Sequence, residues 1–395
     1  MAGALDGVKI LDLTRVLAGP YCTMILGDLG AEIIKVEAPG GSDDTRSWGP
    51  PNVGGESAYY LCANRNKRAI TLNMRTEEGK DVLRKLIKES DIVMENFKNG
   101  TLEKWGFDDD YMKSLNPRII RCSITGFGKT GPYKDLPGYD YIIQAMGGLM
   151  SINGSEESGP MKVGVAISDI VTGLYAAIGV LAALNERNQS NQGQSIDISL
   201  FDSQIGTLIN VASNYLVSNK VPKRLGNMHP NVAPYQPFAT ADGEMVIAVG
   251  NDGQFKKLCN VLDTQELCED ERFSTNPKRV ENREMLEGIL SEKFQQKTTK
   301  EWLELLRANG IPAGPINNME QLFQDEQVSA RGMVQEISHP TAGNVRLVGS
   351  PLKLSRTPVD IRRHPPLAGE HTEEVLAEIG YTKEEIEEMR AKNIL

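Results

Sequence analysis

The chain has 395 residues, 40% of them hydrophobic and 24% charged, and a formal net charge of −10. At roughly 150 residues per domain, this length suits two or three domains, and the composition excludes fibrous, low-complexity and disordered classes. The acidic balance argues against a general nucleic-acid binder, because phosphate contacts need a basic surface; an anionic ligand would need a locally basic site.

The five cysteines (Cys22, Cys62, Cys122, Cys259 and Cys268) form no C-x-x-C pair, and their number is odd. In a chain this long they read as reduced thiols of a cytoplasmic protein. The opening MAGALDGVKILDLTRV carries acidic residues and enters a strand pattern at once, unlike a secretory signal or an Arg-rich transit peptide. Any leader is expected to be absent or already removed.

In chain order, VKILDLT predicts a strand, Gly19-Pro20 opens a helix through Leu26, and AEIIKVEA predicts a second strand. Next come the strand AITLNM, a helix over Glu77 to Glu89, the strand DIVMENF, the helix-like TLEKWGFDDDYMKSL and the strand RIIRCSIT. Strands alternating with helices at this spacing predict a doubly wound parallel α/β sheet.

The run Val163 to Leu184 is apolar except for Asp169. Its length alone would allow a membrane span, but Asp169, Ser168, Thr172 and three glycines dilute it, so it reads as a core helix beginning near Ile170. SIDISLFDSQIGTLINVASNYLVS supplies one more strand and helix. The Pro-rich VPKRLGNMHPNVAPYQP then marks a linker or active-site loop. A smaller α+β unit follows, with the strand EMVIAVG and helices around Gln254 to Leu262, Glu281 to Phe294 and Thr299 to Asn309. The expected domains are 1–219, 220–325, and a return to the first over 326–395.

GFGKTG (Gly126 to Gly131) matches G-x-G-x-x-G after a strand, but Pro132 and KDLPGYD follow where the dinucleotide fingerprint needs a helix. It reads as a flexible glycine loop. The histidines His229, His339, His364 and His371 show no metal-ligand spacing, and no G-x-S-x-G elbow is present, so metal and Ser-His-Asp chemistry lack support.

Arg65, Lys67, Arg68 and Arg75 cluster around one strand and could hold a phosphorylated ligand through charge-assisted hydrogen bonds, or could be a solvated strand entrance. Lys98 and Lys104 follow another strand end, where open sheets place ligands. Asp169 reads as the N-cap of its helix, with Ile170, Leu174, Ala177, Ile178 and Leu181 continuing the apolar period. The helix N-terminus favours its ionised form, and such a carboxylate is a competent nucleophile toward an activated acyl group.

The stretches DLTRVLAGPYCTMILGDLGAEIIKVEAPGGSDDTR, NRNKRAITLNM, VMENFKNGTLEKWGF, SITGFGKTGPY, GYD, the Asp169 run, GQSIDISLFDS, GIPAGPINNM and GEHTEEVL, taken in order, resemble the family III CoA-transferases, the formyl-CoA transferase and carnitine CoA-transferase group. The resemblance implies a Rossmann-like domain made from both chain ends, a smaller middle domain and an intertwined homodimer. It implies CoA or acyl-CoA as substrate, with no permanently bound cofactor and no metal, nucleic-acid or membrane partner.

It also implies that Asp169 attacks the donor thioester to give a mixed anhydride, which CoA thiolate converts to an aspartyl-CoA thioester for the acceptor carboxylate to attack. The CoA contacts it carries over fall on Val16, Leu17 and Ala18, on Leu72, Asn73, Met74 and Arg75, on Asn96, Phe97 and Lys98, on Lys104, and on Tyr139 and Asp140. Racemases of the superfamily use a G-H-D histidine, whereas Gly138-Tyr139-Asp140 stands here; tyrosine, with a pKa near 10, is a poor base at neutral pH. Formyl-CoA:oxalate enzymes carry a glycine run where this chain has GNDGQF (Gly250 to Phe255), which weakens oxalate as substrate. The wording of RVLAGP, WGPP, NRNKR and GPINNM is most similar to the succinate–hydroxymethylglutarate type, which moves CoA between dicarboxylic acids. Arg224 could hold a distal carboxylate by a bidentate pair, or could be a solvated loop arginine.

Overall fold

Six strands of the computed structural model, which describes residues 3–395, form one parallel sheet. They are β1 (Lys9–Asp12), β2 (Glu32–Glu37), β3 (Lys67–Thr71), β4 (Ile92–Glu95), β5 (Ile120–Thr125) and β6 (Ser195–Ser199). Their order is β3-β2-β1-β4-β5-β6, and every neighbouring pair is parallel. The chain winds outward from β1 in one direction and returns to β4 on the other side. The crevice between β1 and β4 is therefore the topological switch point, where sheets of this kind bind ligands at the carboxyl ends of their strands.

Successive strand residues face opposite cores, as the period of two requires. Ile10 and Ile33 join one cluster with α1 (Ala18–Asp28) and the long apolar helix, while Leu11 and Ile34 join the other with Val82, Leu83, Leu86 and Ile87 of α2 (Glu77–Glu89). The side chain of Thr76 caps α2 by accepting from the Gly79 N–H, and the helix keeps the bounds expected from the sequence. The chain end returns to this second face: Val375, Leu376, Ile386 and Met389 complete the cluster, and Asn73 N–H donates to Ile394 O.

One compact unit runs up to Gly148, resumes over Val163–Leu208 and closes over Glu326–Leu395; the other comprises Leu149–Lys162 and Ile209–Asp325. The second unit is built on a three-stranded antiparallel sheet, Tyr235–Ala239, Glu244–Ala248 and Ala313–Pro315, around a core with Phe238, Phe255, Phe294 and Trp302. Residues 149–162 and 209–219, expected in the larger domain, cluster with this unit. Gly226 N–H donates to Gly154 O, Arg224 Nε to Ser155 O, and Asn214 Nδ2 to Asn231 Oδ1. Such partners lie too far along the chain for local sequence to show them.

Candidate active site

At the switch point the turn after β1 enters α1 through Val16, Leu17 and Ala18. Leu17 and Ala18 are buried, and Val16 adopts φ 71°, a left-handed conformation uncommon for a β-branched residue. The first N–H groups of α1 have no intrahelical acceptor, and a helix start favours negative charge. From the neighbouring strand end, Asn96 clasps this turn: its Oδ1 accepts from Arg15 N (3.1 Å) and its Nδ2 donates to Arg15 O (2.7 Å). Phe97 packs edge-on against Trp105, and Lys98 and Lys104 are exposed.

A cavity of about 150 Å³ beside Lys98 is lined also by Glu95, Glu103, Arg121 and Lys129. Arg121 is already matched there by Glu95 (3.1 Å), Glu103 (2.8 Å) and Asp109 (2.7 Å). The loop after β3 contributes less side chain than expected. Leu72 and Met74 belong to the core, and the N–H groups of Leu72 and Asn73 donate to Glu37 O and Ile394 O, so Arg75 is the exposed side chain of this loop.

The basic cluster around β3 is structural in three of its four members. Arg65 forks onto Asp28 (2.6 Å) and donates to Val348 O, with both charged side chains buried. Lys67 donates to Asp12 (3.1 Å), Pro20 O and Asn64 Oδ1. Arg68 bonds Glu32, Glu374 and Glu378, joining the chain end to the sheet. These groups are matched by carboxylates remote in sequence, so only Arg75 of the cluster is free to meet a phosphate.

Asp169 lies on α4 (Ile167–Ser190), but it is not the N-cap: that position is Ala166, and the helix starts three residues before Ile170. The early start has a cause outside the segment. Asp140, opening α3 (Asp140–Met146), accepts Ser168 N–H on Oδ1 (2.8 Å) and Gln144 Nε2 on Oδ2 (2.7 Å). Asp140 thus caps the helix that carries Asp169. Gly173, one turn along the same face, lets α4 meet α1 closely, since a Cβ there would lie 2.7 Å from Ala18 O. Asp169 is thereby on the face of α4 that approaches the α1 entrance.

Burial, with a smaller contribution from Asp140, pushes the Asp169 carboxyl up to about 7. The helix start does not keep it firmly ionised as expected; loss of hydration and a like charge outweigh it. Tyr59, in the short helix Ala58–Leu61, is a residue missed by sequence reading. Burial first, then the electrostatic influence of Asp169, Cys62 and Asp140, pushes its phenol up to about 12, so it stays protonated within electrostatic reach of the two carboxylates. Nothing in SAYYL distinguished it.

Tyr139, the residue at the racemase histidine position, is 61% exposed. The loop GFGKTG is irregular backbone, and Gly126 serves an approach to protein rather than phosphate: a Cβ there would lie 2.6 Å from Gly138 Cα. GNDGQF is a helix start in which Asn251 Oδ1 accepts Gln254 N–H and Gln254 Oε1 accepts Gly250 N–H. Among the described residues, no group of three or more His, Cys, Asp or Glu side chains could hold a metal ion.

A parallel α/β fold whose switch point carries exposed lysines, with a half-buried carboxylate on α4, is a setting suited to an anionic ligand. The chain matches the model of CoA-transferase family III over residues 5–372 and belongs to that family. It is 46% identical over 375 residues, 95% of this chain and 86% of the relative, to succinyl-CoA:glutarate CoA-transferase of Homo sapiens. The identity is also 46% to succinate–glutarate CoA-transferase of Agrobacterium fabrum, over 95% of each chain. A solved CaiB/BaiF family protein from Brucella suis superimposes with a TM-score of 0.84 at 47% identity, covering 96% of this chain and all of that one.

Proposed function

We propose that this CoA-transferase moves CoA from succinyl-CoA, or another dicarboxylyl-CoA, to a free dicarboxylic acid through a covalent intermediate on Asp169. The observation that carries this reading is the Asp169 carboxylate itself. It is poorly hydrated, raised to about 7, and set on the helix face that approaches the switch point. A carboxylate stripped of water is a stronger nucleophile than one at the surface, and at neutral pH a large share of it remains ionised. The names of the two relatives above support dicarboxylates as the acid pair.

In this reading an Asp169 oxygen bonds to the thioester carbonyl carbon, the C–S bond breaks, and CoA leaves as thiolate. The thiolate then attacks the aspartyl carbonyl, freeing the donor acid and leaving an aspartyl-CoA thioester. The acceptor carboxylate attacks that thioester and releases the thiolate again. Finally the thiolate takes the acyl carbon of the new anhydride, and Asp169 departs as carboxylate. Each step exchanges an acyl–oxygen for an acyl–sulfur bond or the reverse, with no net oxidation.

The reading places CoA along Val16 to Ala18, Leu72 to Arg75, Asn96 to Lys98, Lys104, Tyr139 and Asp140. It also takes the working form to be a homodimer in the cytoplasm. Exposed apolar side chains on each unit, including Ile178 at 61% and Leu216 at 75%, support the dimer. The test is incubation with succinyl-CoA followed by mass analysis of the Asp169 peptide after hydroxylamine or borohydride. An adduct on Asp169 and loss of transfer in Asp169→Ala are expected; full transfer by that variant with no adduct overturns the reading.

A further inference from the structure

The turn from Thr14 to Ala18 rests on a buried ionic network that includes neither Asp169 nor Asp140. Lys35 Nζ donates to Thr14 O and to Asp43 Oδ2, each at 2.8 Å. Asp43 Oδ1 accepts Val16 N–H (3.1 Å), Thr45 N–H (3.1 Å) and the Thr45 hydroxyl (2.7 Å). On the other side Asp12 Oδ1 accepts Thr14 N–H (2.9 Å), while Asp12 Oδ2 takes the Thr23 hydroxyl (2.6 Å) and Lys67 Nζ (3.1 Å). All four charged side chains are wholly buried. Their bonds reach the backbone of Thr14 and Val16, and through Lys67 that of Pro20 in α1.

Val16 is the point of leverage. Its φ of 71° is disfavoured for a β-branched side chain, and such a conformation persists only where surrounding contacts over-determine it. Asp43 supplies that contact directly, because its carboxylate receives the Val16 N–H. We propose that Asp43, oriented by Lys35, is a positioning residue for acyl-CoA: it holds the Val16 peptide in the left-handed conformation that aims the start of α1 at the ligand. The inference rests on the reading that places CoA at this turn.

The two carboxylate oxygens have separate duties, one toward Val16 and Thr45 and one toward Lys35. Asparagine keeps the shape but has one acceptor oxygen and no charge, so in Asp43→Asn either the Val16 N–H loses its acceptor or the buried Lys35 ammonium keeps only Thr14 O. Titration of folded protein with CoA by calorimetry reads the effect. Affinity is expected to fall about 10-fold, the scale of one lost charge-assisted hydrogen bond. Donor kcat/KM should fall in parallel, with the acceptor KM within about twofold of the unsubstituted value.

Glycine adopts positive φ without strain, so the loss caused by Asp43→Asn should shrink to about threefold or less when measured in the Val16→Gly background. A merely structural role would not produce that coupling. Unchanged CoA affinity in folded Asp43→Asn, or equal losses in both backgrounds, overturns the proposal. If Asp43→Asn is not recovered folded, Thr45→Val, which removes one bond to the same oxygen, is expected to weaken CoA two- to threefold, about the scale of one neutral hydrogen bond; no weakening overturns it equally. Failure of the unsubstituted protein to bind CoA is a separate result, which removes the CoA reading and this inference with it.

Discussion

The carboxylate of Asp140 bonds the backbone N–H of Ser168 at 2.8 Å, across 28 residues of chain. One contact therefore caps helix α4 and puts a negative charge next to Asp169, which Asp140 pushes further up after burial has raised it. The expected pH dependence follows. Below about 7 Asp169 is protonated and cannot attack a thioester, so donor kcat/KM should fall tenfold per pH unit on the acid side and level off above. Asp140→Asn keeps an acceptor for Ser168 and removes the like charge, so the acid limb should move to lower pH. It should not reach the ordinary carboxylate range, since burial, the larger cause, remains. A pH profile of the two forms checks both statements, and an unmoved limb would show that Asp140 acts on the helix alone.

Arg65 decides between a scaffold and a ligand role for the basic cluster. Its fork onto Asp28 is almost fully buried on both sides. Removing one partner of such a pair leaves an uncompensated charge and costs about 3–5 kcal/mol. Arg65→Ala should therefore lower stability on that scale in urea unfolding, while the fraction that stays folded binds CoA with unchanged affinity. Weakened CoA binding with intact stability would return Arg65 to the site.

These cases show where the sequence was informative. Helix α2 was legible to the residue because its determinants are local: Thr76 as cap and Val82, Leu83, Leu86 and Ile87 at helical spacing. The parallel sheet was legible because short strand patterns such as VKILDLT, AEIIKVEA and RIIRCSIT alternate along the chain with helical stretches. The beginning of α4 was not, because its cap is Asp140 rather than a neighbour. The NRNKR cluster read as a surface feature because Asp12, Asp28, Glu32, Glu374 and Glu378 converge on it only in the fold. Asp169 itself was legible as a lone carboxylate in an apolar run; its raised proton affinity and the neighbourhood of Tyr59 depend on burial that periodicity does not encode.

Gly126 tests the packing of the glycine loop. Its Cα lies against the backbone of Gly138, so the Cβ of Gly126→Ala would stand 2.6 Å from Gly138 Cα and 2.7 Å from Gly138 N, atoms that cannot rotate away. The loops must separate, at a cost of about 1–3 kcal/mol. Tyr139 and Asp140 follow Gly138 directly, so the displacement also loosens the cap on α4. A lower thermal midpoint together with a lower kcat is expected; a lower midpoint with unchanged kcat would mean that the shift is absorbed before Asp140.

The exposed apolar side chains make the proposed dimer testable on each unit separately. On α4, Leu174, Ile178 and Leu181 recur at spacings of four and three, forming one stripe, and are 41%, 61% and 37% exposed. On the helix Ile209–Ser218, Ile209, Leu216 and Val217 are 74%, 75% and 82% exposed. A monomer rarely leaves contiguous apolar surface of this kind in water, and an interface between copies would cover it. Light scattering at micromolar concentration should give twice the chain mass. Ile178→Asp and Leu216→Asp, each placing a charge on a position that only association would bury, should shift the mass toward one chain while leaving the circular dichroism of the fold in place. A single-chain mass for the unsubstituted protein, or a dimer indifferent to both substitutions, would assign these surfaces to something other than self-association.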